Sequence, residues 1–442
     1  MRASFSGFRA LSSQDLPLIR AARMQKKREP ETTMPTAGTL PSMFKRLTDS
    51  GARRFAILFL VVAGCGGSNE PAKSPNEPPQ KIEASNTIIG ARAEGTPKEL
   101  LEKGEKALLA QKWQEAVDAF EAVLAGDPQA ANNPQVIYDL ALAYEGLGER
   151  VKARERYREI VRRFPTDGNA RNALAREVSL DAYLEDWKAL GEVGDQILAR
   201  KDIDPGEKML GLGARALARI TAGDETGSSK DINEGLDVVD EHRFGATGQL
   251  PVAVAMLKYS LGELKRFRSE KISLNPPGPD FVQKLELRCA LLLDAQSAYA
   301  DAIRSVDVHW AAMSGYRVGE MYRTLHHHLM MIPPVEKAKT EKDKQLFYGI
   351  MHVRYRALLE KGQEMMKRTL ALGERTGAAS AWMKRAEALK AEMDKALEDE
   401  KAVLATFPFT EEEIQKALEI MKKKMVEDAE KAEKKAGKPP AK

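Results

Sequence analysis

The sequence predicts an all-α protein, a solenoid of helix hairpins followed by a region of longer helices. Two stretches, 97–128 and 134–165, carry small and large apolar residues at the same offsets, which indicates a structural repeat. Charged residues make up 30% of the chain and aromatic residues 6%, a mixture typical of long helices with solvated faces. No stretch alternates apolar and polar residues strictly enough to predict a strand.

The first element is a leader over residues 1–64. Within it, Arg53 and Arg54 precede an apolar run that ends in small residues. The run is about ten residues, too short for a bilayer span that needs ~20, and this combination is typical of a secretory signal. Met43 is an alternative start of the chain, because basic residues follow it closely, as in the first part of a signal peptide. Residues 1–29 are rich in Arg and Ser, so an organelle transit peptide is a second interpretation of the leader.

The leader ends in a four-residue motif over 62–65, which reads Val-Ala-Gly-Cys. This motif resembles the lipobox of bacterial lipoproteins. The resemblance implies cleavage between Gly64 and Cys65, a diacylglycerol on the Cys65 sulfur and an acyl chain on the new amino group. That covalent anchor is the only cofactor expected. The residue after the cysteine is Gly66 and not an Asp, and by the same resemblance this favours an outer-membrane anchor on the periplasmic side. An ordinary signal peptide with a cysteine at its cleavage site is the alternative.

The second element is a tether over residues 65–95, rich in Pro, Ser, Asn and Glu. Such a composition buries too little apolar surface to offset the entropy of ordering, so we expect a flexible segment. It would hold the folded part clear of the membrane surface.

The third element, residues 96–269, contains the repeats. Prolines stand at the start and end of both repeats, where they limit the helices. Small residues at Gly104 and Ala141 permit close helix approach, and large residues at Phe120 and Tyr157 fill the space to the next hairpin. The matched positions are Leu100/Ile137, Gly104/Ala141, Ala107/Tyr144, Ala116/Ala153, Phe120/Tyr157 and Val123/Ile160.

This pattern resembles the tetratricopeptide repeat, whose period is about 34 residues. Residues 129–133 lengthen the connection between the two repeats here. Beyond Pro165 the match weakens, but the helical periodicity predicts further pairs within 169–198 and 207–241.

The resemblance implies that the concave face of the array binds peptide segments. The predicted groove residues are Leu101, Glu105, Leu108 and Leu109 in the first repeat, and Tyr138, Leu142 and Glu145 in the second. An apolar groove with acidic positions suits an amphipathic helix or an extended segment. Packing of Leu101 and Leu108 against the tether is the alternative.

The fourth element, residues 280–400, follows a break rich in Pro and Gly and is again helical, with longer helices. It shows Trp-Ala-Ala from Trp310, Arg-x-Gly-Glu-x-Tyr from Arg317 and a later Pro-Pro pair. This order resembles the carboxy-terminal region of delta-proteobacterial repeat lipoproteins, including those of myxobacterial motility machinery. In the last element, residues 401–442, Thr410 is the predicted cap of a final helix before a Lys-rich tail.

The candidate catalytic and metal-binding groups do not form a recognisable site. Residues 326–328 are three consecutive histidines, which on a helix point about 100° apart and cannot share one ion, so we expect a partly exposed polar patch. Cys289 lies in an apolar helical stretch, and no sequence pattern indicates a catalytic partner for its thiol. We expect Cys289 to be a small buried hydrophobic residue. The net charge of +4 is small for this length and gives no indication of nucleic-acid binding.

The sequence therefore predicts a lipid-anchored, non-catalytic scaffold or adaptor in a bacterial cell-envelope complex. Motility, outer-membrane assembly and cell-wall maintenance are the roles that the resemblance allows. The expected partners are envelope proteins or peptide segments, with the membrane reached through the lipid and no small-molecule substrate. A soluble repeat protein that binds partners and an enzyme with a cryptic site in the carboxy-terminal helices are the alternatives.

Overall fold

The computed structural model describes residues 95–245, 251–304, 307–334, 338–377 and 380–420, together with 423 and 427. The predicted leader, the cleavage site at Gly64 and Cys65 and most of the tether lie outside the described residues. The helices are α1 (Pro97–Leu109), α2 (Trp113–Gly126), α3 (Pro134–Leu147), α4 (Arg150–Arg163), α5 (Gly168–Tyr183), α6 (Trp187–Ala199), α7 (Pro205–Thr221), α8 (Glu225–Glu241), α9 (Val252–Glu270), α10 (Phe281–Ile303), α11 (Val308–Met330), α12 (Glu341–Thr376) and α13 (Ala381–Ala405).

Most of the helices begin where the sequence supplies a capping side chain. At the start of α1, the Glu99 backbone N–H donates to the Thr96 hydroxyl, and the Thr96 N–H donates to the Glu99 carboxylate. Thr410 and Glu413 make the same reciprocal pair before a last helical segment over residues 411–420. The predicted cap at Thr410 is confirmed.

The small and large residues of the repeat fit together as predicted. Gly104 on α1 lies against the ring of Phe120 on α2, and an added Cβ would come within 2.7 Å of that ring. Ala141 and Tyr157 hold the equivalent places in the second hairpin, and all of these large rings are fully buried. The small residue on one helix therefore leaves the space in which the large ring of the neighbouring helix packs into the core.

Every helix contacts the next one along the chain, which is the arrangement of stacked hairpins. Each odd-numbered helix from α1 to α11 also contacts the following odd-numbered helix, up to α13. No pair of even-numbered helices makes a comparable contact in the described part of the chain. The odd-numbered helices are therefore closer together and lie along the inner, concave side of the solenoid.

The helix series confirms an all-α solenoid. Within the described ranges no residue is in a strand, and helices α10 to α13 are longer than those before them, with 23, 23, 36 and 25 residues. The described residues up to Leu418 belong to one compact unit, and the other unit, residues 12–90 and 419–442, lies almost wholly outside the described ranges. None of the described helices is both long enough and apolar enough to cross a membrane.

Candidate binding site on the inner face

The predicted groove residues on α1 form a single stripe. Leu101, Glu105 and Leu108 are separated by four and three positions, so they share one face of the helix. Leu101 and Leu108 are partly buried against the amino-terminal core, while Glu105 is exposed. Leu109 is 85% exposed, which makes it the most accessible large apolar side chain among the predicted groove residues.

The predicted groove residues on α3 are joined to their neighbours by polar contacts. The Tyr157 hydroxyl donates to the Glu145 carboxylate at 2.5 Å, and Arg176 on α5 lies 3.8 Å from the same carboxylate. The Tyr138 ring contacts the Tyr157 ring edge-on, with centroids 5.4 Å apart. Leu142 is partly buried against the amino-terminal core. Glu145 is therefore already engaged by protein groups.

An acidic position lies close to this groove. The Asp139 carboxylate on α3 is buried and accepts a hydrogen bond from the Gln135 side chain at 2.8 Å. Burial, together with a smaller effect of the negative charge of Glu105, raises the pKa of Asp139 to about 6. This carboxylate therefore changes its charge close to neutral pH.

A second feature of the inner face, which the sequence did not predict as a site, is a cavity of about 220 Å³ in the carboxy-terminal half. Its walls come from α7, α9, α11 and α13, all inner helices, and from the turn before α6 together with the first residue of α6. The lining residues are Glu185, Trp187, Leu217, Thr221, Tyr259, Glu263, Tyr316, Arg317, Trp382 and Arg385.

Aromatic rings and guanidinium groups stack along the cavity wall. The Arg385 guanidinium lies over the Trp382 ring at 4.2 Å, and Arg317 lies 5.5 Å from the same ring. The Tyr316 ring meets Trp382 edge-on, with centroids 5.4 Å apart. Such contacts fix the positions of long arginine side chains that would otherwise be mobile.

A buried carboxylate organises the charges beside the cavity. Glu263 on α9 is 3% exposed and accepts from Arg266 at 2.7 Å and from the Tyr299 hydroxyl at 2.6 Å, with Arg317 at 3.1 Å. Burial opposes the negative charge, but Arg317 and Arg266 outweigh it and hold the pKa of Glu263 below its usual value. Glu263 therefore stays ionised and ties α9 to α10 and α11.

One ion pair joins distant parts of the solenoid. The Glu185 carboxylate, in the turn after α5, lies 2.9 Å from Arg385 on α13 and accepts a hydrogen bond from it at 3.0 Å. The two residues are 200 positions apart in the chain. The curvature of the solenoid therefore brings its last long helix back to the third hairpin.

The three histidines at 326–328 point in different directions, as predicted. His326 is buried and lies 2.6 Å from Glu400 on α13, whereas His327 is exposed and His328 contacts Arg288 at 2.6 Å. The predicted patch is therefore partly exposed, through His327 and His328, whereas α13 covers His326. Among the described residues, no three His, Cys, Asp or Glu side chains are arranged to hold a metal ion.

Comparison with protein families identifies a segment in the amino-terminal part of the chain. Residues 107–177 match the family model for the tetratricopeptide repeat. This segment is similar to tandem tetratricopeptide repeats. It runs from within α1 into α5 and contains the predicted groove residues on α3. The helices after α5 continue the same alternation of inner and outer helices beyond the matched tetratricopeptide segment.

Two solved structures are similar to larger parts of the chain. A tetratricopeptide repeat protein from Parabacteroides merdae shares 12% identity across 67% of this chain and 98% of its own, with a TM-score of 0.38. The tetratricopeptide-repeat domain of P58(IPK) shares 14% identity across 69% of this chain and 99% of its own, with a TM-score of 0.14. No curated protein matches the sequence of this chain.

Proposed function

We propose that the chain is a non-catalytic scaffold or adaptor that binds protein partners along its inner face. The observation that carries this proposal is the continuous contact of the odd-numbered helices from α1 to α13. Repeat arrays of this kind expose extended concave surfaces, which they use for binding. The matched tetratricopeptide segment supports the same interpretation, because these repeats are protein-interaction modules.

The amino-terminal part of the inner face supports binding of a peptide with an apolar side. Leu109 is exposed, and Leu101 and Leu108 are only partly buried. The nearby carboxylates of Glu105 and Asp139 give this surface an acidic edge. An amphipathic helix or an extended segment with a basic flank matches this combination.

A protein-capture experiment tests the groove. Leu109→Glu places a charge at the exposed end of α1, where it removes apolar contact area without disturbing the core. Val151→Glu makes the same change at an exposed position of α4, an outer helix, and serves as the matched control. After crosslinking in the native cells, the Leu109 variant should lose partners that the wild type and the Val151 variant both retain. Capture of chaperones alone, or equal capture by all three chains, would contradict the scaffold.

We further propose that the scaffold is anchored in a bacterial envelope complex by acyl chains on Cys65. The lipobox-like sequence over 62–65 supports this proposal, and two or more acyl chains suffice for stable anchoring. The similarity of the carboxy-terminal region to repeat lipoproteins of myxobacterial motility machinery favours motility over outer-membrane assembly and cell-wall maintenance.

Intact-mass analysis and membrane fractionation test the anchor. The wild-type chain should begin at Cys65 and carry the mass of a diacylglycerol and an acyl chain. Cys65→Ser should leave the chain unmodified and release it from the membrane. An unmodified Cys65 thiol in the wild type would refute the anchor and leave the scaffold proposal untouched.

A further inference from the structure

We propose that the cavity between α7, α9, α11 and α13 binds a carboxylate carried by a partner peptide. This inference rests on the proposed function, because it assigns the cavity to a partner that lies along the inner face. It follows from a comparison of the hydrogen-bond acceptors and donors that line the cavity.

The acceptors in the cavity wall are already occupied. Glu263 accepts from Arg266 and Tyr299 and pairs with Arg317. Glu185 accepts from Nη1 of Arg385 through Oε2, and its Oε1 lies 2.9 Å from Nη2 of the same arginine. These carboxylates therefore offer little to a ligand that brings hydrogen-bond donors.

The donors in the wall, in contrast, are in excess. The Trp382 side chain is 2% exposed, and its buried indole N–H has no acceptor within the described ranges. Arg317 uses Nε and Nη1 for its partners, and no partner of Nη2 lies among the described residues. The same holds for Nε of Arg385, whose two Nη atoms face Glu185. A ligand that fits this wall must supply acceptors.

A carboxylate matches these donors better than a neutral carbonyl does. Arginine presents its N–H groups in a planar fork that fits the two oxygens of a carboxylate, and such charge-assisted bonds are roughly twice as strong as neutral ones. An orphaned buried N–H destabilises the free protein, so an acceptor close to Trp382 removes an existing penalty. The cavity volume of about 220 Å³ accommodates a side chain or a chain end but not a helix.

Movement of the Arg385 side chain would open a path from solvent to the Trp382 indole N–H. This side chain lies across the Trp382 ring, and its ion pair with Glu185 is partly exposed, at 42% and 28% of the two side chains. Exposed pairs of this kind contribute little to stability. A ligand carboxylate can therefore draw Arg385 away from Glu185 and reach the indole N–H.

The test uses the detergent-solubilised full chain with ¹⁵N-labelled tryptophan, so that NMR resolves the indole N–H of Trp382. The probes are acetyl-Ala-Ala-Glu-Ala-amide, the same peptide with Gln in place of Glu, and acetyl-Ala-Ala-Ala-Ala with a free chain end. We expect the Trp382 signal to shift with at least one carboxylate peptide and not with the Gln peptide. The peptide that acts shows whether a side chain or a chain end is bound.

Two variants separate binding from folding. Trp382→Phe keeps the aromatic wall but removes the N–H, and it should weaken binding about tenfold, as expected for one bond to a charged acceptor. Binding by this variant is followed through the Trp187 signal. Trp113→Phe on α2 is the matched control, and it should bind like the wild type. Both variants should keep the wild-type helical content.

Equal shifts with the Glu and Gln peptides, no shift with any peptide, or equal weakening by both variants would overturn the proposal. The scaffold proposal is judged separately by the Leu109 capture experiment. If partners are captured through the groove but no carboxylate peptide binds, only the cavity assignment fails.

Discussion

The buried carboxylate of Glu263 gives the sharpest test of what holds the carboxy-terminal half together. Glu263→Gln keeps the shape of the side chain but removes its charge and turns one acceptor oxygen into a donor. The Tyr299 hydroxyl and two guanidinium groups, those of Arg266 and Arg317, currently face that carboxylate at 2.6, 2.7 and 3.1 Å. Breaking one side of a buried ion pair costs about 3–5 kcal/mol, and we expect a loss of this size.

Urea denaturation followed by circular dichroism measures the loss, and hydrogen exchange locates it. The amides of α9, α10 and α11 should lose protection, whereas those of α1 to α4 should not change. Glu192→Gln is the matched control, because Glu192 is 62% exposed and lies 3.9 Å from Lys188. Exposed pairs of this kind contribute about 0–1 kcal/mol.

The pH dependence adds an independent check. The pKa of Glu263 in the folded chain is below its usual 4.5. The carboxylate therefore stabilises the fold above that value, and this contribution is lost as the pH falls through the lowered pKa. The difference between wild type and Glu263→Gln should be constant from neutral pH to about 5 and should shrink below about 4.5. A Glu263 variant no less stable than the Glu192 variant would refute this reasoning.

Three further predictions concern other parts of the chain. Asp139→Asn should raise the free energy of unfolding at pH 7.5 by up to about 3 kcal/mol, because the wild type must hold a buried charge. The gain should fade as the pH drops through about 6, where Asp139 takes up a proton, and denaturation at pH 7.5 and 5 measures it. Phe120→Ala should cost about 3–5 kcal/mol through the cavity it leaves, seen as a lower unfolding midpoint. Burial raises the pKa of Cys289 to about 11, so in a Cys65→Ser chain its reaction with a disulfide reagent at pH 8 should be at least about tenfold slower than in urea.

Each of these predictions has a result that contradicts it. A loss of stability in Asp139→Asn at pH 7.5 would mean that the carboxylate is needed in its charged form. An unchanged midpoint in Phe120→Ala would mean that the first hairpin does not depend on this ring. Equal labelling rates of Cys289 in the folded and unfolded chain would mean that its thiol is not buried.

The amino-terminal hairpins were predictable because their signal is local. Gly104 and Phe120 belong to adjacent helices, and the same pair of sizes recurs at Ala141 and Tyr157 one repeat later. A single sequence contains this information, since each repeat confirms the spacing of the other. The capping residue Thr410 was predictable for the same reason, because its partner Glu413 is three residues away.

The cavity was not predictable in the same way. Trp187, Tyr259, Tyr316 and Trp382 come from four helices and lie far apart in the chain, and only the curvature of the solenoid brings them together. Three of these aromatic residues stand on inner helices, and arginines follow Tyr316 and Trp382 closely in the sequence. The sequence alone does not show which face of the solenoid is concave, so this pattern did not identify a site. The burial of His326 escaped prediction for a similar reason, since its cover, α13, comes more than fifty residues later.

The bond between Glu185 and Arg385 has a consequence for how this chain can evolve. In an ordinary array each unit touches only adjacent units, so units are readily duplicated or deleted. Here, one hairpin more or fewer between α5 and α13 would rotate Arg385 to a different place around the axis and take it away from Glu185. The number of hairpins in this stretch is thus constrained, and growth of the protein by duplication is confined to regions outside it.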